Sequence, residues 1–141
     1  MKWYLASRTR HTQKMQEIAK HLIEQNQEIS SDWIYITENL KPFTQNLKKV
    51  EEISGHNLKQ MLDTDVFVMF NDLAGTDIFT ELGIMMAKNK IGKPVKIYVV
   101  GEYEQASLMQ YNSAIIHTKI LKEVFDFEKI NYGNFSFPEI F

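Results

Sequence analysis

Glu81 is the residue of this sequence that is best placed to do chemistry. It is the only charged residue between Ile78 and Ala87, in a stretch that follows an apolar strand and a polar loop. If Thr76 or Asp77 caps the helix, Glu81 falls in or just after the first turn, where free backbone N–H groups and the helix dipole favour an ionised carboxylate. An ionised, partly desolvated carboxylate at the mouth of a sheet can act as a nucleophile.

Polar side chains follow two of the predicted strands, where they could form one pocket. In a doubly wound sheet, ligands bind beyond the carboxyl ends of the strands, near the switch between the first and third strands. Both loops would lie at that edge, so the sequence predicts a cationic rim beside a cluster of carboxylates. This combination suits a sugar phosphate with a reacting carbon. The residues are Ser7, Arg8 and Arg10 after the first strand, and Asn71, Asp72, Gly75 and Asp77 after the third.

The apolar runs of the sequence predict the strands that would carry these loops. The sequence VFVMF at 66–70 is apolar on both faces, which is typical of a strand inside a parallel sheet covered by helices. Strands and helices alternate along the chain. The predicted fold class is therefore α/β, a doubly wound, flavodoxin-like or Rossmann-like three-layer sandwich with about five parallel strands. The other strands are predicted at 3–6, 28–36, 95–100 and 114–117.

The helical spacing of apolar residues predicts the elements between the strands. A first helix, with Met15 near its start, shows apolar residues at every third or fourth position. The segment 47–62 reads as helical turns that are interrupted near Ser54 and Gly55. A short helix is predicted around 121–125.

The composition predicts one domain that spans 1–141. With 141 residues, of which 44% are hydrophobic, the chain can bury a single core. A net charge of -2 gives no overall attraction to nucleic acid or to an anionic membrane. The N-terminal sequence MKWYLASRTR soon turns polar, so it reads as neither a signal peptide nor a membrane span. We expect a cytoplasmic protein whose partner is a small molecule, with no nucleic acid and no membrane.

The sequence does not contain the motifs that are typical of several enzyme classes. The chain contains no cysteine, which excludes disulfides, thiol nucleophiles and thiolate metal sites. Its histidines show no metal-binding spacing, so we predict no metal. No GxSxG, GxxxxGK[ST] or GxGxxG motif is present, which argues against hydrolase triads, nucleotide triphosphatases and dinucleotide redox enzymes.

Three motifs together resemble those of the nucleoside 2-deoxyribosyltransferase superfamily, which includes 2′-deoxynucleoside 5′-phosphate N-hydrolase-like proteins. They are the strand start KWYLASRTR with Tyr4, the apolar strand DVFVMF, and Glu-Leu-Gly at 81–83. The order of elements over 2–127 also follows that of the family. The resemblance implies cleavage or transfer at the N-glycosidic bond of a (deoxy)nucleoside or a nucleoside 5′-monophosphate, without an organic cofactor.

The resemblance also implies roles for individual residues. Glu81 matches the nucleophile that attacks the anomeric carbon and displaces the base. Tyr4 matches a tyrosine whose hydroxyl holds that nucleophile, since a phenol can orient a carboxylate without neutralising it. In the hydrolase branch, Ser7 and Arg8 would receive the 5′-phosphate, with Arg10 as a further candidate.

Other positions leave the function open. Counting back eight residues from Asp65 gives Asn57, where the family often has an aspartate. An amide can hydrogen-bond a sugar hydroxyl or a base edge, but it cannot transfer a proton at neutral pH. Either Asp72 or Asp77 could be the loop carboxylate that assists departure of the base. The alternative function is therefore a non-catalytic module of the same fold that binds or senses a nucleotide, and a third is an interaction protein with a vestigial pocket.

Most of these candidates also have a purely structural interpretation. Tyr4 could be a core aromatic residue with its hydroxyl at the rim, and Asp77 could be an N-cap. Ser7 and Arg8 could form an ordinary loop before a helix, and Asp72 could be a turn residue. Under these interpretations none of them takes part in chemistry.

The aromatic tail at 130–141 needs a surface to cover it. If they were exposed, Phe135, Phe137 and Phe141 would promote aggregation. Either the tail folds back over its own sheet or it packs on another subunit. In the family a neighbouring subunit helps to close each pocket, so the resemblance favours a homo-oligomer, a dimer at least. The candidates for contacts across that interface are Tyr111 and Asn112.

Overall fold

The structure, a computed structural model, describes residues 1–102 and 107–141. Its strands are β1 (Lys2–Ala6), β2 (Glu28–Ile29), β3 (Val66–Phe70), β4 (Lys96–Val100) and β5 (Ile115–Thr118). They form one parallel sheet in the order β2-β1-β3-β4-β5. The α-helices are α1 (Thr12–Glu24), α2 (Leu47–Leu62), α3 (Asp77–Lys90) and α4 (Leu121–Glu128). The predicted α/β doubly wound fold is confirmed.

No helix within the described residues combines the length and the hydrophobicity that a membrane span would need.

The strands β1, β3, β4 and β5 begin and end within one residue of their predicted positions.

Alternating side chains divide the core into two layers. On β1, Trp3 and Leu5 pack with the layer of α1 and α4, whereas Tyr4 and Ala6 pack with the layer of α2 and α3. All side chains of β3 are buried, as expected for a central strand covered on both faces. Burial of each large apolar side chain contributes about 1.5–3 kcal/mol. Because Tyr4 packs on the side of the sheet that α2 and α3 cover, it shares a layer with α3, the helix that carries Glu81.

The second strand is shorter than the sequence predicts. Strand β2 ends at Ile29, and the chain continues into a 3-10 turn at Asp32–Tyr35 instead of extending to residue 36. Beyond β2, the Ser31 hydroxyl accepts the N–H of Leu5 at 3.1 Å, so a side chain takes the place of a ladder bond to β1. The prediction was wrong because the aromatic and β-branched residues of this segment favour a strand, whereas the contact that replaces the ladder joins residues 26 positions apart.

Helix α2 is continuous where the sequence predicts an interruption. It runs through Ser54 and Gly55 without a break. A glycine in a helix interior costs only about 1 kcal/mol relative to alanine. The helix also gains from packing Met61 against the sheet, so the weak central turn remains helical.

The aromatic tail covers its own sheet. Phe135 and Phe137 pack against Phe125 of α4. The ring of Phe141 lies on Gly101, directly after β4, where a Cβ would come within 2.7 Å of the ring and where φ is +113°. Only glycine suits this position without strain. Of the two arrangements that the sequence leaves open, the structure contains the one in which the tail folds back on its own chain.

Candidate active site

The loops that follow β1 and β3 meet at the carboxyl edge of the sheet. The two strands are parallel neighbours, and their register pairs Ala6 with Met69. Strand β1 lies between β2 and β3, so this edge contains the switch point at which ligands bind in such folds. The structure accordingly brings Arg8 and Arg10 of the first loop into contact with Asp72 of the second.

Tyr4 and Glu81 form a hydrogen-bonded pair in the layer between the sheet and α3. The Tyr4 hydroxyl donates to Glu81 Oε1 at 3.0 Å. Tyr4 is fully buried, and its ring stacks on Phe67 of β3 with 5.9 Å between the ring centroids. The hydroxyl is therefore held in one position, and it holds one oxygen of the Glu81 carboxyl in turn. The other oxygen, Oε2, takes no part in this bond.

The Glu81 carboxyl is less readily ionised than the sequence predicts. Burial raises its pKa to about 7, the hydrogen bond from Tyr4 lowers the pKa, and the charge of Asp77 raises it. Glu81 is the fifth residue of α3, beyond the free N–H groups of the helix start. Burial consequently outweighs the helix dipole, and near pH 7 the carboxyl is divided between its two protonation states. Burial and Glu81 also raise the pKa of Tyr4, so Tyr4 remains a donor.

Asp77 is the carboxylate nearest to Glu81 along α3. It is the first residue of the helix, is exposed, and lies one turn before Glu81 on the same face. Thr76 occupies the N-cap position, but no side-chain hydrogen bond caps the helix. The predicted helix start is therefore present without the predicted cap bond. Within residues 1–102 and 107–141, no three acidic or histidine side chains are grouped so that they could hold a metal ion.

Asp72 is paired with both arginines of the first loop. Its Oδ2 accepts from Arg10 Nη2 at 2.7 Å and from Arg8 Nη1 at 3.5 Å, and its Oδ1 accepts the N–H of Ala74 at 3.0 Å. Burial acts to raise the pKa of Asp72, but the Ala74 N–H and the two guanidinium groups outweigh it and hold the pKa below its usual range. Asp72 is therefore an ionised partner of the basic rim.

The remaining loop candidates contribute mainly to the framework of this edge. Ser7 is buried, and its hydroxyl donates to the carbonyl of Arg8 at 3.0 Å. Asn71 is also buried and donates its side-chain N–H to the carbonyl of Glu102 at 2.5 Å. A Cβ on Gly75 would lie 2.6 Å from the Ile78 side chain, so glycine allows the loop to approach α3. In this structure these contacts hold the two loops in place.

Asn57 lies in a separate cleft between α2 and the turn Asp32–Tyr35. The cleft has a volume of about 220 Å³ and is lined by Trp33 and Ile53 among other residues. Among the described residues, Asn57 Oδ1 is a buried oxygen without a hydrogen-bond partner. Within the same part of the chain, no hydrogen bond joins Asn57 to Tyr4 or Glu81. The structure thus does not connect Asn57 to the Tyr4–Glu81 pair.

The two interface candidates lie near the edge strand β5. Tyr111 ends a 3-10 turn at Leu108–Tyr111, and its ring centroid is 6.4 Å from that of His117. Asn112 Oδ1 accepts the N–H of Ala114 at 3.0 Å. Both side chains are exposed to solvent.

His11 contributes to the basic rim. It is buried, and its Nε2 accepts from Arg10 Nε at 3.1 Å. Burial lowers the pKa of His11, and the charge of Arg10 lowers it further, which keeps the imidazole neutral and able to accept. The sequence groups His11 with Arg8, Arg10 and Lys14, a basic cluster that is typical of either a small anion site or a solvated helix start.

Three solved protein chains match this fold. No family model matches the sequence, and no curated protein matches it. The structure of a CMP N-glycosidase, BcmB, from Clostridium botulinum is similar, with a TM-score of 0.57 and 13% sequence identity. The match covers 93% of this chain and 100% of that chain. At this identity the likeness establishes the shared fold.

Proposed function

We propose that this protein cleaves or transfers at the N-glycosidic bond of a (deoxy)nucleoside or a nucleoside 5′-monophosphate, with Glu81 as the nucleophile. The observation that carries the proposal is the hydrogen bond from buried Tyr4 to Glu81, at the sheet edge where two arginines emerge. The shared fold of a CMP N-glycosidase supports a nucleotide as the substrate.

The proposed reaction has two steps. Glu81 Oε2 attacks the anomeric carbon, the bond from carbon to the base nitrogen breaks, and its electron pair leaves with the base, which takes up a proton. Tyr4 keeps its hydrogen bond to Oε1 and orients the carboxylate. Water or a second base then attacks the same carbon and releases Glu81 as a carboxylate. Water gives hydrolysis, and a second base gives transfer.

The two loop carboxylates have different roles in this proposal. Asp77 lies one helical turn from Glu81 and is exposed, so we assign to it the relay of a proton from solvent to the departing base, and its carboxylate then takes a proton from the attacking water. Asp72 is engaged by Arg8 and Arg10 and belongs to the phosphate end of the site. The planar guanidinium groups suit a phosphate, because each can donate two parallel hydrogen bonds to it.

A nucleotide-binding or sensing module is the second candidate function, and Asn57 favours it. An amide can hydrogen-bond a sugar hydroxyl or a base edge, but it cannot transfer a proton at neutral pH. Under this alternative, a nucleotide would bind and dissociate unchanged, and binding would survive replacement of Glu81 by glutamine.

Base release distinguishes these functions. Wild type and Glu81→Gln would be incubated with nucleosides and nucleoside 5′-monophosphates, with and without an acceptor base, and free base would be measured by chromatography. Glu17→Gln, a change on the exposed face of α1, is the matched control and should behave as wild type. Release by wild type that requires Glu81 would establish the chemistry, and dependence on an acceptor would indicate transfer. A folded wild type that binds a monophosphate without releasing base from any substrate would support the sensing module.

We also propose that the protein is a homo-oligomer, a dimer at least, with a second copy seated on the turn Leu108–Tyr111. Leu108 is 84% exposed, and Met109 and Tyr111 are more than half exposed. Such an apolar group of side chains is typical of a contact surface. Tyr111 and Asn112 would then reach across the interface.

Light scattering after size exclusion is expected to give at least twice the mass of one chain. Leu108→Lys should lower the mass to that of a monomer, because a buried lysine without a partner opposes association. Ile91→Lys, at another largely exposed apolar residue after α3, should leave the mass unchanged. A monomeric wild type at micromolar concentration would contradict the proposal.

A further inference from the structure

We propose that Asp72 is the displaceable counter-ion of an anion site formed by Arg8 and Arg10, and that a phosphate ester binds by taking both guanidinium groups from Asp72. From the proposed function the inference takes only that the substrate is phosphorylated. It adds a reason why a neutral nucleoside and a monophosphate would bind differently.

The hydrogen bonds between Asp72 and the two arginines use only part of what each guanidinium group can donate. A single oxygen, Asp72 Oδ2, accepts from both arginines, at 2.7 Å from Arg10 Nη2 and at 3.5 Å from Arg8 Nη1. Neither arginine is engaged by the two parallel bonds that a guanidinium group can donate. A phosphate group offers three oxygens and up to two negative charges. It can therefore accept two parallel hydrogen bonds from each guanidinium group, which one carboxylate oxygen cannot do.

The exposure of the three side chains agrees with a phosphate replacing Asp72 as the partner of the arginines. The side chain of Asp72 is only 14% exposed, whereas those of Arg8 and Arg10 are 36% and 59% exposed. The arginines are therefore more accessible to an anion from solvent than Asp72 is. His11 holds the guanidinium group of Arg10 through Nε, which leaves its terminal nitrogens available to Asp72 or to an incoming phosphate.

Displacement has an electrostatic consequence. While Asp72 is in place, its charge opposes any other anion at the two arginines. A phosphate can compensate through its additional bonds, whereas a nucleoside without phosphate has no group that competes with Asp72. The carboxylate thus lowers affinity for anions in general and favours ligands that carry a full phosphate.

The test is calorimetric titration of the complete protein with inorganic phosphate and with ribose 5-phosphate. Asp72→Asn is expected to tighten binding of both by about tenfold or more, because it removes the competing charge. Glu17→Gln removes a carboxylate on the exposed face of α1, and it should change the dissociation constants by less than about threefold. Asp72→Ser, which can still accept the N–H of Ala74, serves as a second variant if Asp72→Asn does not fold.

The outcomes separate this inference from the proposed function, since neither ligand contains a glycosidic bond. Tighter binding in both Asp72 variants would support the exchange, even if wild type released no base from any substrate. Binding that is unchanged or weaker would overturn it and make Asp72 a structural anchor of the arginines. Absence of phosphate binding in wild type and in the variants would overturn it as well.

Discussion

Replacement of Glu81 by glutamine is expected to reduce base release by at least about a thousandfold and, at the same time, to stabilise the folded protein above pH 7. The loss of rate follows because an amide cannot attack the anomeric carbon, and removal of a nucleophile typically costs that much or more. The gain in stability follows from burial of the carboxyl group. A residue with only a structural role would not show these opposite effects.

The sign of the stability change follows from the pKa of Glu81. Burial raises this pKa from its ordinary value of 4.5 to about 7 in the folded protein. The carboxyl therefore favours folding fully below pH 4.5, and this contribution is lost as the pH rises through about 7. Above that pH the loss amounts to about 3 kcal/mol. Glutamine stays neutral throughout and avoids the loss.

Denaturant unfolding at pH 5 and at pH 8.5 measures this difference. The free energy of unfolding of Glu81→Gln, relative to wild type, should be higher by about 2–3 kcal/mol at pH 8.5 than at pH 5. Glu128→Gln is the matched control, because Glu128 is a buried carboxylate that pairs with Lys96 and accepts from Tyr98. It should destabilise at pH 8.5. A relative stability of Glu81→Gln that does not change with pH would show that Glu81 is already ionised in the fold.

The pairing of Tyr4 with Glu81 could be predicted only through the resemblance to a known family, which implies a tyrosine whose hydroxyl holds the nucleophile. The sequence patterns are coarser: period-two alternation in β1 places Tyr4 on one face of the sheet, and the apolar β3 places its loop and the start of α3 beside that strand. They indicate the neighbourhood of the two residues but not a contact between side chains 77 residues apart.

The energetics of the site could not be predicted in the same way. The pKa of Glu81 depends on how many atoms surround the carboxyl after folding, whereas the sequence shows only its place near a helix start. The pairing of Asp72 with Arg10 depends on side chains 62 residues apart, and either Asp72 or Asp77 satisfies the pattern. Strand β2 ends early, and the Ser31 hydroxyl replaces its ladder bond to Leu5, a long-range contact that propensity does not contain.

Replacement of Tyr4 by phenylalanine is expected to slow base release by about 10- to 100-fold at pH 7, the range for loss of a hydrogen bond to a charged group. The hydroxyl of Tyr4 lowers the pKa of Glu81. Without this hydroxyl, only burial and the charge of Asp77 act on the pKa of Glu81, and because both raise it, the pKa is higher in the variant. Because the ionised form is the nucleophile, the rate increases with pH up to this pKa and then levels off. The rising limb of kcat/KM should therefore move to higher pH in Tyr4→Phe.

The pH profile separates this role of Tyr4 from a simple packing role. Tyr98→Phe removes a hydroxyl that likewise donates to a buried glutamate, Glu128, but in the other layer of the core. It should lower the free energy of unfolding and leave the rising limb of kcat/KM where wild type has it. In Tyr4→Phe, part of the lost rate should return between pH 8 and pH 9.5, where the carboxyl ionises without its partner. A uniform loss at every pH would mean that Tyr4 only positions Glu81, because a shift in ionisation must favour one end of the profile.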